Sequence, residues 1–352
     1  MTPLPSPSAP AAGPLLDRLG RPLGNLRISV TDRCNLRCAY CMPEEEYSWL
    51  PKPSVMTLEE LAALARAFVS LGVRRLRLTG GEPLLRRDLD KLVGMLAAIE
   101  GLEDLALTTN GVLLSAQAAA LKRAGLSRLT VSLDTLRPER FRELARRDEL
   151  AAVLAGIEET RRVGFSALKL DMVMLRGVND DEFLPMLDYA TSVGAELRFI
   201  EYMDVGGATR WRRADVVSRQ ELLARVEAVR GRAEPVVESS SAPADRYRLA
   251  DGTVFGVISS TTQPFCGSCD RSRLTADGRW FLCLYARQGL DLGRALRAGA
   301  GESEVAALIR ERWGVRDDRG AVDRLAEHER TALAPADELR RNPHLEMHTR
   351  GG

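Results

Sequence analysis

Neither sign of charge is in excess in this chain: 50 basic residues face 49 acidic ones, for a formal net charge of +1. No global electrostatic footprint marks a nucleic-acid or anionic-membrane partner, so any anion site must be local. No run of about 18 apolar residues occurs, which argues against a membrane-spanning helix. The first 14 residues are rich in Pro, Ala and Ser and lack the basic and apolar regions of a secretory signal, so a disordered arm is expected there. Histidine is confined to His328, His344 and His348, which excludes a histidine base or metal ligand from the body of the chain. Internal repeats of solenoid length are absent as well. What is there, 45% hydrophobic and 28% charged residues, fits a soluble globular protein with a large core. The expected setting is the cytoplasm, where six cysteines point to metal ligation or redox work rather than to structural disulfides.

Short apolar or alternating runs at 26–31, 74–79, 105–110, 129–134, 168–174 and 197–202 read as strands. Helical periods at 57–71, 88–99, 116–124, 138–146, 151–163 and 181–193 separate them. Strict β–α alternation predicts a parallel sheet with helices outside, either doubly wound or curled into a barrel. After about residue 215 the pattern changes to a helix at 219–229, a polar linker at 234–244 and short strands with turns at Asp251-Gly252 and Asp277-Gly278. Two short charged helices and a loose tail follow. The expected division is an arm over 1–14, a barrel over 15–215, an extension over 216–340 and a tail over 341–352.

Side chains on a strand alternate faces. Leu76 and Leu78 share one face and Arg75 and Arg77 the other; Thr130, Ser132 and Asp134 oppose Leu129, Val131 and Leu133; Lys169 and Asp171 oppose Leu168, Leu170 and Met172. If the leucine faces meet the helices, the polar faces line a wet interior. A packed eight-stranded barrel fills its lumen with branched apolar side chains, so a polar lumen implies an incomplete (β/α)6 barrel of the TIM type around a polar ligand. A sheet with one solvated face fits the same pattern.

Cys34, Cys38 and Cys41 place three thiols within eight residues directly after the first strand. A loop can wrap them around one cubane. Four irons need four ligands, so three cysteines leave one iron open to a non-protein ligand, which the amino and carboxylate groups of S-adenosylmethionine can chelate. Arg33 and Arg37 are expected to favour the thiolate forms. Structural zinc is the chief alternative, but it prefers a closed set of four ligands and no histidine lies nearby.

A second set, Cys266, Cys269 and Cys283, has the spacing C-x2-C-x13-C. A two-residue turn at Asp277-Gly278 would pair Ala276 with Arg279 and set Cys283 opposite Ser272, close to the CxxC. The second CxxC of a zinc ribbon is missing, which favours an auxiliary cluster with one open iron. Arg271 and Arg273 share the face opposite Ser272. Gly80-Gly81-Glu82-Pro83 ends the second strand, where a parallel sheet presents its ligand-binding loops and glycines let backbone approach a ligand.

At these residues the sequence resembles the GTP 3′,8-cyclases of molybdenum cofactor biosynthesis, which are radical S-adenosylmethionine enzymes. Beyond the motifs above, LRISVTDRCNLRCAYCMP, LTTNG, VSLDTL, RFIEYMDVG, FCGSCDRSRLTADGRWFLC and the terminal Gly351-Gly352 carry the resemblance. It implies a lyase with two [4Fe-4S] clusters that converts GTP to (8S)-3′,8-cyclo-7,8-dihydroguanosine 5′-triphosphate. Cys34, Cys38 and Cys41 would hold the cluster that binds S-adenosylmethionine, and Cys266, Cys269 and Cys283 the one whose open iron takes the guanine. Tyr40, Gly81, Ser132 and Met203 match S-adenosylmethionine contacts, while Arg27, Arg77, Thr108, Lys169, Arg271, Ser272 and Arg273 match the GTP site. No Walker A sequence is present, so scattered cations must cradle the triphosphate.

The resemblance also implies that Gly351 and Gly352 reach into the active site. The preceding His348-Thr349-Arg350 departs from the family's Met-x-x-Ile, and Asp204 and Asp270 stand where Pro and Asn are typical. An external one-electron donor would start the reaction. The resulting 5′-deoxyadenosyl radical would take hydrogen from ribose C3′, and the carbon radical would attack C8 of the guanine. The product would pass to the next pathway enzyme, cyclic pyranopterin monophosphate synthase. A homodimer is left open, and no nucleic-acid or membrane partner is expected. Two rival readings are a peptide-modifying radical maturase and a zinc-stapled binding module.

Overall fold

The computed structural model describes residues 14–237 and 241–351, so the expected arm falls almost wholly outside the described residues, as does Gly352. Six strands, β1 (Asn25–Ser29), β2 (Arg75–Thr79), β3 (Asp104–Thr109), β4 (Arg128–Ser132), β5 (Leu168–Met174) and β6 (Glu196–Glu201), lie side by side in chain order, all parallel. Between them run α1 (Leu58–Ser70), α2 (Leu89–Ala97), α3 (Leu114–Arg123), the pair α4 (Pro138–Ala145) and α5 (Leu150–Arg162), and α6 (Phe183–Ser192). The strand order settles what periodicity leaves open. A doubly wound sheet reverses direction at a switch point, whereas crossovers that all advance one way put every helix on one face and curl the sheet into a barrel.

Register keeps the two faces apart. Across β1 to β6 the matched partners Leu26, Leu76, Leu105 and Leu78, Leu107, Leu129, Leu168 lie on the helix face, where they form the buried core. Arg27 and Arg77 are partners on the other face, as are Thr130 and Lys169, and Asp171 and Arg198. The lumen is therefore polar, as the alternation predicts. At α1 the Thr57 side chain accepts from the Glu60 N–H while the Glu60 carboxylate accepts from the Thr57 N–H, a capping box that sets where this helix begins.

The barrel does not close. Helix α7 (Arg219–Arg230) leads to β7 (Glu234–Val236), β8 (Asp245–Arg248), β9 (Val254–Ile258), β10 (Arg271–Leu274), β11 (Arg279–Phe281) and β12 (Leu290–Asp291). β9 adds parallel to β6 and β10 adds parallel to β1; β8 and β7 extend one flank antiparallel, and β11 and β12 the other. The expected linker at 234–244 thus contributes an edge strand at its start. Four further helices, α8 (Leu292–Arg297), α9 (Glu302–Gly314), α10 (Gly320–Leu325) and α11 (Ala336–Arg341), precede a last turn, α12 (Met347–Arg350), so the terminal region is more helical than the two helices expected. Helix α9 packs on α1 and thereby ties the extension to the barrel.

The hairpin of β10 and β11 departs from its expected register. Arg273 pairs with Phe281 and Leu274 with Trp280, one residue off the predicted match. Thr275 closes the loop through its N–H to the Arg279 carbonyl at 2.9 Å, leaving Ala276, Asp277 and Gly278 as a three-residue turn. Gly278 takes the left-handed conformation, with φ of 86°, that a third loop position requires. Among the described residues no helix is long and apolar enough to cross a membrane.

Candidate active site in the barrel lumen

A cavity of about 390 Å³ runs along the lumen and is lined by all six cysteines. The two triplets sit at opposite mouths. Cys34 follows the C-terminal end of β1, whereas Cys269 precedes the start of β10, which lies parallel beside β1, and Cys283 follows the antiparallel β11. The five residues of β1 separate the mouths by roughly 16 Å at strand rise.

At the first mouth the loop is pinned from outside. The Arg37 and Ala39 N–H groups donate to the Ala145 and Leu144 carbonyls at 3.0 and 2.8 Å, and Met42 N–H turns back to Cys38 at 2.7 Å. The Gly81 and Glu82 N–H groups donate to the Thr31 and Arg33 carbonyls at 2.9 and 2.7 Å. A Cβ on Gly80 or Gly81 would run into those same carbonyls, which is why two glycines stand there. The buried Glu82 carboxylate accepts from Leu84 N–H, Thr109 Oγ1 and Asn110 N–H at 3.0, 2.7 and 2.7 Å, joining this loop to β3. Tyr40 donates its hydroxyl to Asp134 at 2.8 Å.

At two of these thiols burial outweighs the neighbouring cations. Burial pushes Cys34 up to about 12, with Arg37 a lesser opposing influence, and Cys41 is raised by its contact with Cys38 and then by burial. Arg37 thus acts on Cys34 in the expected direction but is outweighed by burial. The Arg37 guanidinium also donates to the Cys34 and Leu36 carbonyls, both at 2.8 Å, and Arg33 lies over the Trp49 ring.

Between the mouths, Arg27, Arg77, Arg198, Arg271 and Arg273 all line the cavity, with Asp171 among them. Arg77 donates to Thr108 and Thr130 at 2.9 and 3.1 Å, and Arg198 pairs with Asp171 at 2.7 Å. The Arg27 guanidinium makes no hydrogen bond among the described residues, and burial together with Arg273 and Arg271 depresses it well below the ordinary arginine range. Burial, then Arg27, lowers Arg77 to about 9; burial, then Arg271, lowers Arg273 to about 10. Cations crowded this closely in a poorly hydrated space call for a polyanionic ligand.

Of the residues singled out in the sequence, Tyr40, Gly81, Ser132, Met203, Arg27, Arg77, Thr108, Arg271 and Arg273 border this cavity. Lys169 does not. It lies towards the start of β5 and pairs with Glu196 at 3.3 Å. Ser272 is level with Leu26, so its side chain belongs to the helix face and it borders the cavity by its main chain. Alternation was signal enough to find Arg198 and Asp171, which share the polar face with Lys169.

The tail is docked rather than loose. Arg350 is buried over the Phe281 ring and donates to the carbonyls of His344, Leu284 and Ala286. Arg273 donates to the Gly351 carbonyl. Gly351 lies against Thr79 and Ser29, inside the lumen. The tail also brings His348 to the cavity wall, packed against Tyr47 and Trp49, so confinement to the tail does not by itself keep histidine out of the barrel as expected. Three-dimensional docking, not sequence position, decides this. Asp204 and Asp270 are structural anchors: Asp204 binds Arg330, Arg324 and Tyr285, and Asp270 binds Arg75 and Ser241.

No cysteine forms a disulfide, and among the described residues no three Cys, His, Asp or Glu side chains converge to hold one metal ion. Zinc needs four donors at about 2.0–2.3 Å from one centre, which neither triplet offers. Three thiols facing a shared cavity, with no fourth protein donor among the described residues, suit an iron–sulfur cluster that keeps one iron open.

The Radical SAM superfamily profile matches residues 28–190, and that of Molybdenum Cofactor Synthesis C matches 195–322. The chain is 50% identical over 343 residues to GTP 3′,8-cyclase 3 of Mycobacterium bovis, covering 96% of this chain and 91% of that protein. It is 51% identical over 340 residues to GTP 3′,8-cyclase 1 of Mycobacterium tuberculosis, covering 96% and 95%. With GTP 3′,8-cyclase of Xanthomonas campestris pv. campestris it shares 47% over 315 residues, covering 88% and 92%. Among solved structures, Streptococcus suis SuiB bound to S-adenosylmethionine has the same fold, with a TM-score of 0.60 and 14% identity over 87% of this chain and 68% of that one. With these full-length relatives and both profiles in agreement, the chain belongs to the GTP 3′,8-cyclase family within the radical S-adenosylmethionine superfamily.

Proposed function

We propose that this protein is a cytoplasmic lyase that cyclises GTP to (8S)-3′,8-cyclo-7,8-dihydroguanosine 5′-triphosphate, an early step of molybdenum cofactor biosynthesis. The observation that carries this reading is a single cavity with a cysteine triplet at each mouth and five arginines between them. Cys34, Cys38 and Cys41 would hold one [4Fe-4S] cluster and Cys266, Cys269 and Cys283 another. When bound, the first cluster and S-adenosylmethionine supply a 5′-deoxyadenosyl radical on receipt of one electron from an external donor.

The chain's own residues then position and enclose. Tyr40, Gly81, Ser132 and Met203 border the S-adenosylmethionine end. Arg27, Arg77, Arg271 and Arg273, with Thr108, take the triphosphate and ribose; Arg198, fixed by Asp171, adds to the positive field. Lys169 and the side chain of Ser272 are left out of this set. Arg273 is aimed by the Gly351 carbonyl, so the tail, with Gly352 beyond it, helps shape the substrate end. The task is orientation and exclusion of water rather than acid–base transfer. The product would pass to cyclic pyranopterin monophosphate synthase.

The test is iron and sulfide analysis of anaerobically purified protein, followed by turnover with GTP and S-adenosylmethionine. About eight irons per chain and a cyclised nucleotide are expected. A colourless zinc protein, or 5′-deoxyadenosine formed with no change in GTP, would sink the reading.

A further inference from the structure

The second triplet is held by residues outside the lumen. Cys266 to Cys269 form a single 3-10 turn whose own hydrogen bonds are long: Ser268 N–H to Phe265 and Cys269 N–H to Cys266, both at 3.3 Å. Such a turn does not fix itself. Two buried guanidiniums brace it from behind. Arg21 donates Nη1 to the Cys266 carbonyl at 3.0 Å and to the Asp318 carbonyl at 2.8 Å. Arg316 donates Nη1 to the Cys269 carbonyl at 2.9 Å.

Both cations are oriented by one buried carboxylate. Asp17 Oδ2 lies 2.6 Å from Arg21 Nε and 3.5 Å from Arg316, and the three side chains are 0–1% exposed. Such exposure leaves water little part in the network. Arg316 also stacks 4.4 Å over Trp313, whose Nε1 donates to the Arg21 carbonyl at 3.2 Å. Asp318 carries the second negative charge, at 3.3 Å from Arg316, but is partly exposed. Arg21 Nη2 is buried with no hydrogen-bond partner among the described residues, so a donor is still free beside the cysteine turn.

Resting on the reading that the second triplet holds a cluster, we propose that Arg21 and Arg316, locked by Asp17, are positioning residues that retain that cluster. A [4Fe-4S] core with three thiolates is anionic, and it gains a further negative charge when reduced. Buried cations bonded to the carbonyls of two of its ligands both fix the ligand loop and offset that charge. The N-terminal segment before β1 is thus part of the second metal site, although it lies about 245 residues from Cys266 in sequence.

The test compares anaerobically reconstituted wild type with R21M, R316M, the charge-neutral D17N/R21M pair and R21K. The readouts are iron and sulfide per chain after gel filtration, and the electron paramagnetic resonance spectrum of the reduced protein with S-adenosylmethionine or GTP. Iron is expected to fall by half in R21M and R316M, with a remaining signal that responds to S-adenosylmethionine but no longer to GTP. D17N/R21M should show the same loss without an unpaired buried carboxylate, and R21K should keep more iron than R21M. Full iron with an unchanged GTP response would overturn the proposal. So would loss of both clusters together, or a collapsed thermal transition in D17N/R21M, since the effect would then be general unfolding. If wild type itself holds only half of the expected iron, the two-cluster reading fails first.

Discussion

Arg330 holds the Asp204 carboxylate with two nitrogens, Nη2 at 2.7 Å from Oδ1 and Nε at 2.9 Å from Oδ2, where both side chains are buried. Tyr285 O–H and Arg324 Nε donate to the same carboxylate at 2.8 and 2.7 Å. One residue thus joins the loop after β6, the segment behind Cys283 and the chain between α10 and α11.

Asp204→Asn should cost about 3–5 kcal/mol, because it leaves Arg330 buried without its counter-charge. Burial alone would raise the Asp204 carboxyl, but Arg330, Tyr285 and Arg324 outweigh it and hold the group below its ordinary value of 3.8. A depressed folded-state value contributes stability above the unfolded value, lost as pH falls through the folded one. Thermal melts should therefore weaken below about pH 4 in wild type, with a shallower acid limb in the variant.

Glu82 works in the opposite direction. Burial lifts it to about 7, so its contribution is complete below the ordinary value of 4.5 and is lost as pH rises through 7. Glu82→Gln should remove this decline between about pH 4.5 and 7, and should cost about 1–3 kcal/mol at the acid end, where wild type keeps its full contribution, because an amide cannot satisfy all three donors. A series of denaturant titrations against pH separates the slope from the offset.

Arg27→Met should stabilise the protein while damaging substrate binding. Its half-buried guanidinium makes no hydrogen bond among the described residues, and its arginine neighbours outweigh Asp171, so an apolar side chain of similar length relieves repulsion. The loss of one charge-assisted contact to phosphate corresponds to about a 10- to 100-fold rise in KM for GTP. A higher Tm together with a higher KM is the expected pair; an unchanged KM removes Arg27 from the substrate site.

Gly351→Ala tests the tail. Gly351 has φ of 73° and packs on Thr79 and Ser29, so a methyl group there forces the chain away from Arg273. Cyclisation should slow by about 100-fold through misplacement alone. The melting temperature should barely move, because the Arg350 anchor remains. Equal turnover in the variant would mean that tail docking has no part in the reaction.

Most of the barrel was legible because its strands carry leucine on every second residue and that pattern survives folding. The polar partners of those leucines, Arg77, Thr130 and Asp171, were legible for the same reason. Depth along a strand was not: Lys169 shares the lumen face but sits too near the start of β5 to border the cavity. The hairpin register turned on whether Gly278 takes the second or third loop position, which the Asp-Gly dipeptide does not specify. Tail docking was hidden because the anchors of Arg350 are main-chain carbonyls, and these leave no mark in sequence.

The opposite placement of the two triplets makes the barrel a gauge. Each mouth is defined by its own cysteine loop, so their spacing is measured out by the rise of β1 and its neighbours and not by loop conformation. Loops around the mouths can lengthen or change sequence without altering the reach between the two ends. A one-residue insertion within β1 would instead turn Arg27 or its neighbours towards the helices and reset the scale itself.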